Sequence, residues 1–503
     1  MVQEAPLRDE MELASGGHNQ CRYQNSSMKF SRLLGLASAF ATCFEHVHAG
    51  CQMLAVGRST DLLLKGDILT PHGVLSHGHV LVQSGKITQI RQGCEIEDEN
   101  ATVIDCSGAV ISPGFINTHE HIAYSTVNPF PTTSERWDAR QDWRLGLRNH
   151  TKMEPEVNGT ELDATKWGEL RHLFSGTTSI VGGDMVPGLT RNLDFIAGLE
   201  DGLVAPKDTY ATFPLNDAAG PVRNGDCDYG PNAITQEDAG KLYRYLAHIG
   251  EGVDAEARNE FKCLSNLTFD TTPLSQGGGL STDIIAPNLA LIHALGLTES
   301  DYDLVSQRGA MVVWSPRSNV ALYGKTLNVT YLQETGITVA LGTDWLPSGS
   351  ATMGREAVCG CSASETSYGF QLEAKTIWEM MTINAAKVAG FERQLGSIEV
   401  GKMADIVIWG GNASDPYAKA AYGVEEDIEL VLRGGKAMLM SAELKALGGS
   451  ECESLSFGSA TKVACVAGDL NSTFAEFEAA LGGVYPAILP GIPPNEPTCE
   501  PTR

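Results

Sequence analysis

Gly114-Phe115-Ile116-Asn117-Thr118-His119-Glu120-His121 is the stretch from which the fold can be read. Residues 110–116 form an apolar run, interrupted at Pro113-Gly114, that reads as a buried strand entering a His-x-His tip. Side chains at i and i+2 of a strand share a face, so His119 and His121 can aim at one ion while Glu120 points the other way. Alone, the pair is a weak signal. Four later segments strengthen it. Tyr245-Leu246-Ala247-His248-Ile249-Gly250-Glu251-Gly252 is an apolar run ending in a histidine with a carboxylate three residues on, and Ala290-Leu291-Ile292-His293 repeats the pattern. Met311-Val312-Val313-Trp314-Ser315-Pro316-Arg317-Ser318-Asn319 is an apolar strand followed by a small polar loop. Ile337-Thr338-Val339-Ala340-Leu341-Gly342-Thr343-Asp344-Trp345 is a strand closing in an aspartate. In a parallel α/β barrel the carboxyl ends of all strands emerge on one face, where sites are assembled from separate loops. Four histidines and one aspartate would converge there, which is a metal site.

In this order the motifs resemble the metal-dependent amidohydrolase superfamily, with His-x-His on the first barrel strand, single histidines on the fifth and sixth, and an aspartate on the eighth. The glutamate three residues after the fifth-strand histidine is similar to the mononuclear branch that contains nucleobase and S-adenosylhomocysteine deaminases and aminotriazine hydrolases. Leu395-Gly396-Ser397-Ile398-Glu399-Val400-Gly401-Lys402-Met403-Ala404-Asp405-Ile406-Val407-Ile408-Trp409 resembles the strand pair by which such chains leave the barrel. The likeness covers roughly residues 60 to 445. It implies a TIM (β/α)8 barrel over 110–393 and a small β-sandwich joined from both flanks, 58–109 and 394–445. Third and fourth barrel strands are not legible; a stretch near 209–215 is one candidate, only some 30 residues before His248.

By that resemblance His119, His121, His248 and Asp344 hold one divalent metal, zinc first, with iron or manganese as alternatives. Such an ion lowers the pKa of a bound water towards neutrality, and the resulting hydroxide attacks a planar carbon bonded to nitrogen. Asp344 takes the water's proton and passes it to the leaving nitrogen, His293 hydrogen-bonds the water or the developing oxyanion, and Glu251 protonates a ring nitrogen. No lysine or glutamate on the fourth strand stands out as a second-metal bridge, so one metal is expected. Tyr124 and Trp345 follow metal-bearing positions and are read as substrate contacts or core. Ser315 and Asn319 either orient substrate or stabilise their loop. Glu251 could instead cap a helix over 254–264, and His172 is read as structural. The activity implied is hydrolysis of carbon–nitrogen bonds other than peptide bonds, with deamination of a heterocyclic amidine ahead of imidazolonepropionase-like ring opening. A third reading is an inert extracellular binding protein on the same barrel. Cytidine-type deaminases need Pro-Cys-x-x-Cys, which is missing, and Glu120-His121 breaks the His-Glu-x-x-His peptidase pattern.

Composition is compatible with a large enzyme acting on a small molecule. The chain has 503 residues, 42% of them hydrophobic, enough for a full core. A formal charge of −26 argues against nucleic-acid polymers, whose phosphates need clustered cations. Self-association into a homo-oligomer is left open.

The amino end reads as a leader. From Met28, Lys29 and Arg32 precede an apolar run over 33–44 and then Val47-His48-Ala49. This charged, apolar, small-residue order is that of a secretory signal peptide, too short to span a membrane. Residues 1–27 are then an upstream extension, and Met28 is the favoured start. Ala49-Gly50-Cys51 is a minor alternative as a lipid-attachment site. Eight Asn-x-Ser/Thr sequons, at Asn25, Asn100, Asn149, Asn158, Asn266, Asn328, Asn412 and Asn471, fit a secreted glycoprotein. Twelve cysteines are compatible with a few disulfides in an oxidising compartment, Cys452 with Cys465 among them. In the C-terminal extension, 446–503, a short helix is expected over 474–481, and 490–503 should be extended or loose.

Overall fold

The computed structural model describes residues 50–503, apart from positions 94, 95, 97, 201, 277, 278 and 412. The leader and the upstream extension lie outside the described residues.

Eight short strands form the barrel. Phe115–Asn117, Thr177–Ile180 and Arg191–Asn192 make one parallel arc. Thr209–Ala211, Tyr245–Ile249, Leu289–His293, Met311–Trp314 and Val339–Leu341 make a second. Backbone bonds close the ring on both sides. Asp208 N–H donates to the Leu193 carbonyl at 2.8 Å, and Asp344 N–H donates to the His119 carbonyl at 2.9 Å. The strands the sequence left obscure are thus Arg191–Asn192, only two residues long, and Thr209–Ala211, which falls inside the candidate stretch.

Each strand or strand end gives a residue to one inner cluster: Ile116, Val181, Leu193, Tyr210, Leu246, Ile292, Val313 and Ala340. Helix Ile383–Val388 adds Ala385, Ala386 and Val388 to it. A second, larger cluster takes the alternate strand residues, including Tyr245, Ala247, Leu289, Leu291, Val312 and Leu341. Burial on both faces explains why these strands read as continuous apolar runs.

The auxiliary region is a single ten-stranded sheet. Strand Thr102–Pro113 is its seam, parallel to Leu62–Thr70 on one side and antiparallel to Ile406–Trp409 on the other, so the two flanks do join. Leu64, Val80, Ile104, Ile111, Ile406, Leu430 and Leu432 share its buried apolar face. The seam strand ends at Pro113, and the barrel begins at Phe115; the interruption at Pro113-Gly114 separates two strands in place of one continuous strand. Gly114 N–H donates to the Asp405 carbonyl at 2.9 Å, so the exit segment grips the chain just ahead of the His-x-His tip.

The tail is more firmly built in than its composition suggests. Hairpin Glu453–Phe457 and Ala460–Ala464 extends the auxiliary sheet through Lys436–Ser441. Cys452 and Cys465 are disulfide-bonded, as the sequence reading paired them. Helix Phe474–Leu481 stacks Phe474 on Trp167 of the barrel helix Glu161–Phe174 at 5.5 Å. The last residues are extended but not loose. Cys499 is bonded to Cys359, Glu496 takes a bidentate contact from Arg355, and Arg503 reaches Asp138 at 2.6 Å. Further disulfides join Cys51 to Cys106 and Cys227 to Cys263.

Candidate metal centre and its cavity

Three imidazole nitrogens and one carboxylate oxygen meet at the barrel mouth. His119 Nε2 lies 3.4 Å from His121 Nε2 and 3.1 Å from His248 Nε2, and the last two are 3.3 Å apart. Asp344 Oδ1 is 3.4 Å from His119 Nε2 and 3.5 Å from His121 Nε2. Four ligands tetrahedrally disposed about an ion at roughly 2.1 Å would be about 3.4 Å from one another. The observed edges match that spacing. The donor chemistry fits as well. His248 Nδ1–H donates to the Ala211 carbonyl at 3.1 Å, which fixes the tautomer and leaves the Nε2 lone pair facing the centre. His119 Nδ1 is 2.8 Å from Ser315 Oγ. Burial first, then mutual repulsion among the histidines, holds His119 and His248 well below the usual imidazole pKa, so both stay neutral and able to ligate. Neutral lone pairs converging at such distances repel unless a cation sits between them. The cluster is built for one divalent ion.

The local backbone explains how these side chains arrive. His248 follows inward-facing Leu246 by two residues and so shares its face. His293 follows inward-facing Ile292 by one and would point outward from a regular strand. Instead its φ is 66°, and that of Asp344 is 61°. Both residues sit in the left-handed region that costs a non-glycine residue about 1–3 kcal/mol and is tolerated where function requires it. Gly342 serves the same end, since a Cβ there would lie 2.5 Å from His119 Cβ.

A layer of hydrogen bonds holds the centre from behind. Glu120 faces away from it, as the alternation of the His-x-His tip requires. It accepts from Asn117 Nδ2 at 3.2 Å, from His172 Nε2 at 3.3 Å and from the Thr343 hydroxyl, tying the first and eighth strands and the helix of His172 together. Ser318 donates to Asp344 Oδ2 at 2.5 Å. Ser315 and Asn319, read from the sequence as orienting substrate or stabilising their loop, are buried against histidines. Ser315 supports His119, and Asn319 Oδ1 accepts from His293 Nδ1 at 2.9 Å.

His293 Nε2 lies 3.7 Å from Asp344 Oδ2 and 3.8 Å from Glu251 Oε2, between the two carboxylates. Glu251 does not cap the next helix; Asp254 does. Its Oε1 accepts from the Tyr323 hydroxyl at 2.7 Å, and Trp143 Nε1 donates to that same hydroxyl at 2.8 Å.

In front of the metal cluster lies a cavity of about 250 Å³ whose wall includes Glu251, His293 and Asp344. Tyr124 and Trp345 line it and also pack into the larger apolar cluster. Trp143 packs on Trp345 with ring centroids 4.8 Å apart, and Tyr124 meets Trp345 edge-on at 5.4 Å. Phe213 and Arg144 complete the wall. A wider cleft of about 520 Å³ shares His121, Tyr124 and Thr212 with it.

Sequence reading missed Trp143, Arg144, Phe213, Tyr323 and Tyr210. Tyr210 is the fourth-strand residue nearest the cluster, its hydroxyl 3.2 Å from His121 Nε2. Burial pushes that phenol well above its ordinary pKa, so the fourth strand offers a neutral hydroxyl in place of a charged bridge to a second metal. For Trp143 and Arg144 the available signal was the spacing Arg140-x-x-Trp143-Arg144, which places three side chains on one face of helix Arg140–Leu145.

The profile of the amidohydrolase family matches residues 264–438. A 5-methylthioadenosine/S-adenosylhomocysteine deaminase of Halothermothrix orenii is 24% identical over 78% of this chain and 96% of its own length. A 5'-deoxyadenosine deaminase of Methanosarcina acetivorans is 27% identical over 67% of this chain and 80% of its own. An imidazolonepropionase of Bacillus velezensis is 24% identical over 71% and 88%. Among solved structures, a zinc-bound adenosine deaminase from Xanthomonas campestris superposes with a TM-score of 0.52 at 18% identity, covering 84% of this chain and 98% of that one. A zinc-complexed atrazine chlorohydrolase from Arthrobacter aurescens gives 0.55 at 17%, covering 77% and 98%. These superpositions support the barrel and its auxiliary sheet.

Proposed function

We propose that this chain, which belongs to the metal-dependent amidohydrolase superfamily and hydrolyses carbon–nitrogen bonds other than peptide bonds, deaminates a small planar heterocyclic amidine. The observation that carries this reading is Glu251, a buried carboxylate in the wall of an aromatic cavity and 3.8 Å from His293 Nε2. Attack on an amidine is helped by protonating the ring nitrogen beside the carbon, which a buried acid in that wall can supply.

A divalent ion bound by His119, His121, His248 and Asp344 supplies a water of lowered pKa and a local positive charge. The chain's own residues do the rest. Trp143, Trp345 and Tyr124 hold a planar ring against the cluster by stacking and edge contacts. Asp344 Oδ2, steadied by Ser318, accepts the proton of the attacking water. Glu251 delivers a proton to the ring nitrogen as the carbon becomes tetrahedral. His293, anchored through its Nδ1–H on Asn319 Oδ1, turns Nε2 to the oxygen that adds. Asp344 then hands its proton to the exocyclic nitrogen, the carbon–nitrogen bond breaks, the added hydroxyl gives up its remaining proton to restore the acid form of Glu251, and ammonia leaves a ring carbonyl. The deaminases among the relatives support the reaction type, and zinc in the two superposed structures supports zinc as the ion.

The imidazolonepropionase relative favours one competing reading, opening of a cyclic amide by the same residues. Release of ammonia separates the two. Aminopurines, aminopyrimidines, aminotriazines and cyclic amides incubated with metal-loaded protein should yield ammonia from an amino heterocycle, and chelation should stop it. Ring-opened product without ammonia would overturn deamination.

We propose further that the enzyme acts outside the cell. The disulfides among the described residues fit an oxidising compartment, and the sequon residues Asn100, Asn149, Asn158, Asn266 and Asn471 are all exposed. Among the described residues no helix is long and apolar enough to cross a membrane.

A further inference from the structure

We infer that the substrate carries an anionic group, a carboxylate on the ring, and that Arg144 is the residue that selects for it. This rests on the reading of the cavity as a heterocycle site. Helix Arg140–Leu145 turns Arg140, Trp143 and Arg144 towards the cavity on one face, and all three line it. Two of the three are already committed. Arg140 is fully buried and ion-paired with Asp217 at 2.7 Å and Glu260 at 3.2 Å. Trp143 is anchored through its indole N–H on Tyr323.

Arg144 differs. Its guanidinium donates to two neutral acceptors, Gln141 Oε1 and, at 3.2 Å, the Ala218 carbonyl. It stacks over Phe213 at 4.4 Å from the ring centroid. No carboxylate among the described residues pairs with it. The nearest acidic groups in the cavity, Glu251 and Asp344, are engaged with Tyr323 and with Ser318 and the metal cluster. The cavity therefore holds a half-buried guanidinium that makes no direct ion pair with a carboxylate among the described residues. A half-buried charge without a partner is unfavourable, and a ligand that supplies one gains the difference.

Two further observations narrow the ligand. At about 250 Å³ the cavity lies below the range of roughly 300–1,000 Å³ common for drug-sized ligands, so it suits a ring with a compact substituent. A carboxylate is compact, planar and matched to a guanidinium fork. The second is the chain's formal charge of −26, which repels anions from its surface at large. Beyond about 10 Å that repulsion is screened at 0.1 M salt, so a cation inside the cavity decides the outcome at contact.

The test uses matched pairs that differ only in the carboxylate: 2-aminopyrimidine and its 4-carboxylate, and pterin and its 6-carboxylate. Affinity for metal-loaded protein is read by quenching of tryptophan fluorescence, and turnover by ammonia release. The carboxylated member of at least one pair should bind about 10- to 100-fold more tightly, the scale of one charge-assisted hydrogen bond. Arg144→Met should bring that ratio to about one, and Arg144→Lys should restore part of it. The inference is overturned if the uncharged members bind as well, if Arg144→Met weakens both members equally, or if no member binds. A carboxylate preference in binding without ammonia release would sink deamination and leave this inference standing; ammonia release indifferent to the carboxylate would do the reverse.

Discussion

Tyr323 offers the sharpest test of how the site is held together. Its hydroxyl donates to Glu251 Oε1 at 2.7 Å and accepts from Trp143 Nε1 at 2.8 Å, so a single oxygen links the stacking wall to the proposed proton donor. The phenol is fully buried. Burial, then the neighbouring Glu251 charge, pushes its pKa well above the ordinary value, so it remains protonated and donating throughout the working pH range. Tyr323→Phe removes that oxygen and little else. It leaves a carboxylate oxygen without its neutral donor and an indole N–H without an acceptor. A hydrogen bond to a charged group contributes about 1.5–3 kcal/mol, and a neutral one about 1 kcal/mol. Stability should therefore fall by roughly 2–4 kcal/mol, if neither group finds water.

The effect on turnover should be distinct from that on stability. Glu251 without its anchor can swing towards His293, and a misplaced acid loses much of the roughly 100-fold or greater advantage that a positioned one supplies. We expect kcat to fall about 10- to 100-fold, with metal content at the wild-type level because none of the four ligands touches Tyr323. Steady-state kinetics, elemental analysis and urea denaturation read the three quantities separately. A double-mutant cycle with Glu251→Gln completes the argument. If Tyr323 acts through Glu251, the two losses should be far from additive. Additive losses, or a Tyr323→Phe protein that is destabilised with kcat unchanged, would refute the positioning role and leave Tyr323 a packing residue.

Further expectations follow from the same geometry. Purified protein should hold about one equivalent of a divalent ion, and elemental analysis finding none, with no activity on adding zinc, iron or manganese, would remove the basis of the mechanism. Asp344→Asn should abolish turnover and weaken metal retention together, since an amide is a poorer ligand and cannot take the proton; full retention with lost activity would show that it is not a ligand. Glu251→Gln should keep the metal and the fold while turnover drops on the order of 100-fold or more, and unchanged turnover would dismiss it as an acid. Protein from the native host should begin near Gly50 and lose mass on glycosidase treatment, whereas an intact Met1 in that protein would count against secretion.

What the sequence disclosed follows how local each signal is. The candidate ligands stand out in the sequence because they lie at the ends of three apolar strands, so a window of about ten residues contains both the element and its chemistry. The short third strand, Arg191–Asn192, was not legible because two residues cannot show a period. The residues that shape the cavity were hidden for another reason. Trp143 and Tyr323 are 180 positions apart, and nothing local links them until the barrel brings the helix after the seventh strand beside helix Arg140–Leu145. Ser315 and Asn319 show another limit. Their polarity after the seventh strand fits either orienting substrate or stabilising the loop, and polarity alone does not say which way a side chain faces. Both hydrogen-bond histidines at the barrel mouth, Ser315 to His119 and Asn319 to His293.

His293 shows most clearly where pattern reading stops. Strand alternation would send it outward, since Ile292 before it points into the barrel. Only the left-handed turn at its own backbone, with φ 66°, brings the ring back between Asp344 and Glu251. Ala294 continues the turn at φ 51°, so two consecutive non-glycine residues share the cost. A fold selected for stability alone would place glycine at such positions. At His293 a glycine would relieve the strain and delete the ring that bridges the two carboxylates. Holding an imidazole in that conformation is thus an argument, independent of any motif, that the sixth-strand histidine is kept for chemistry.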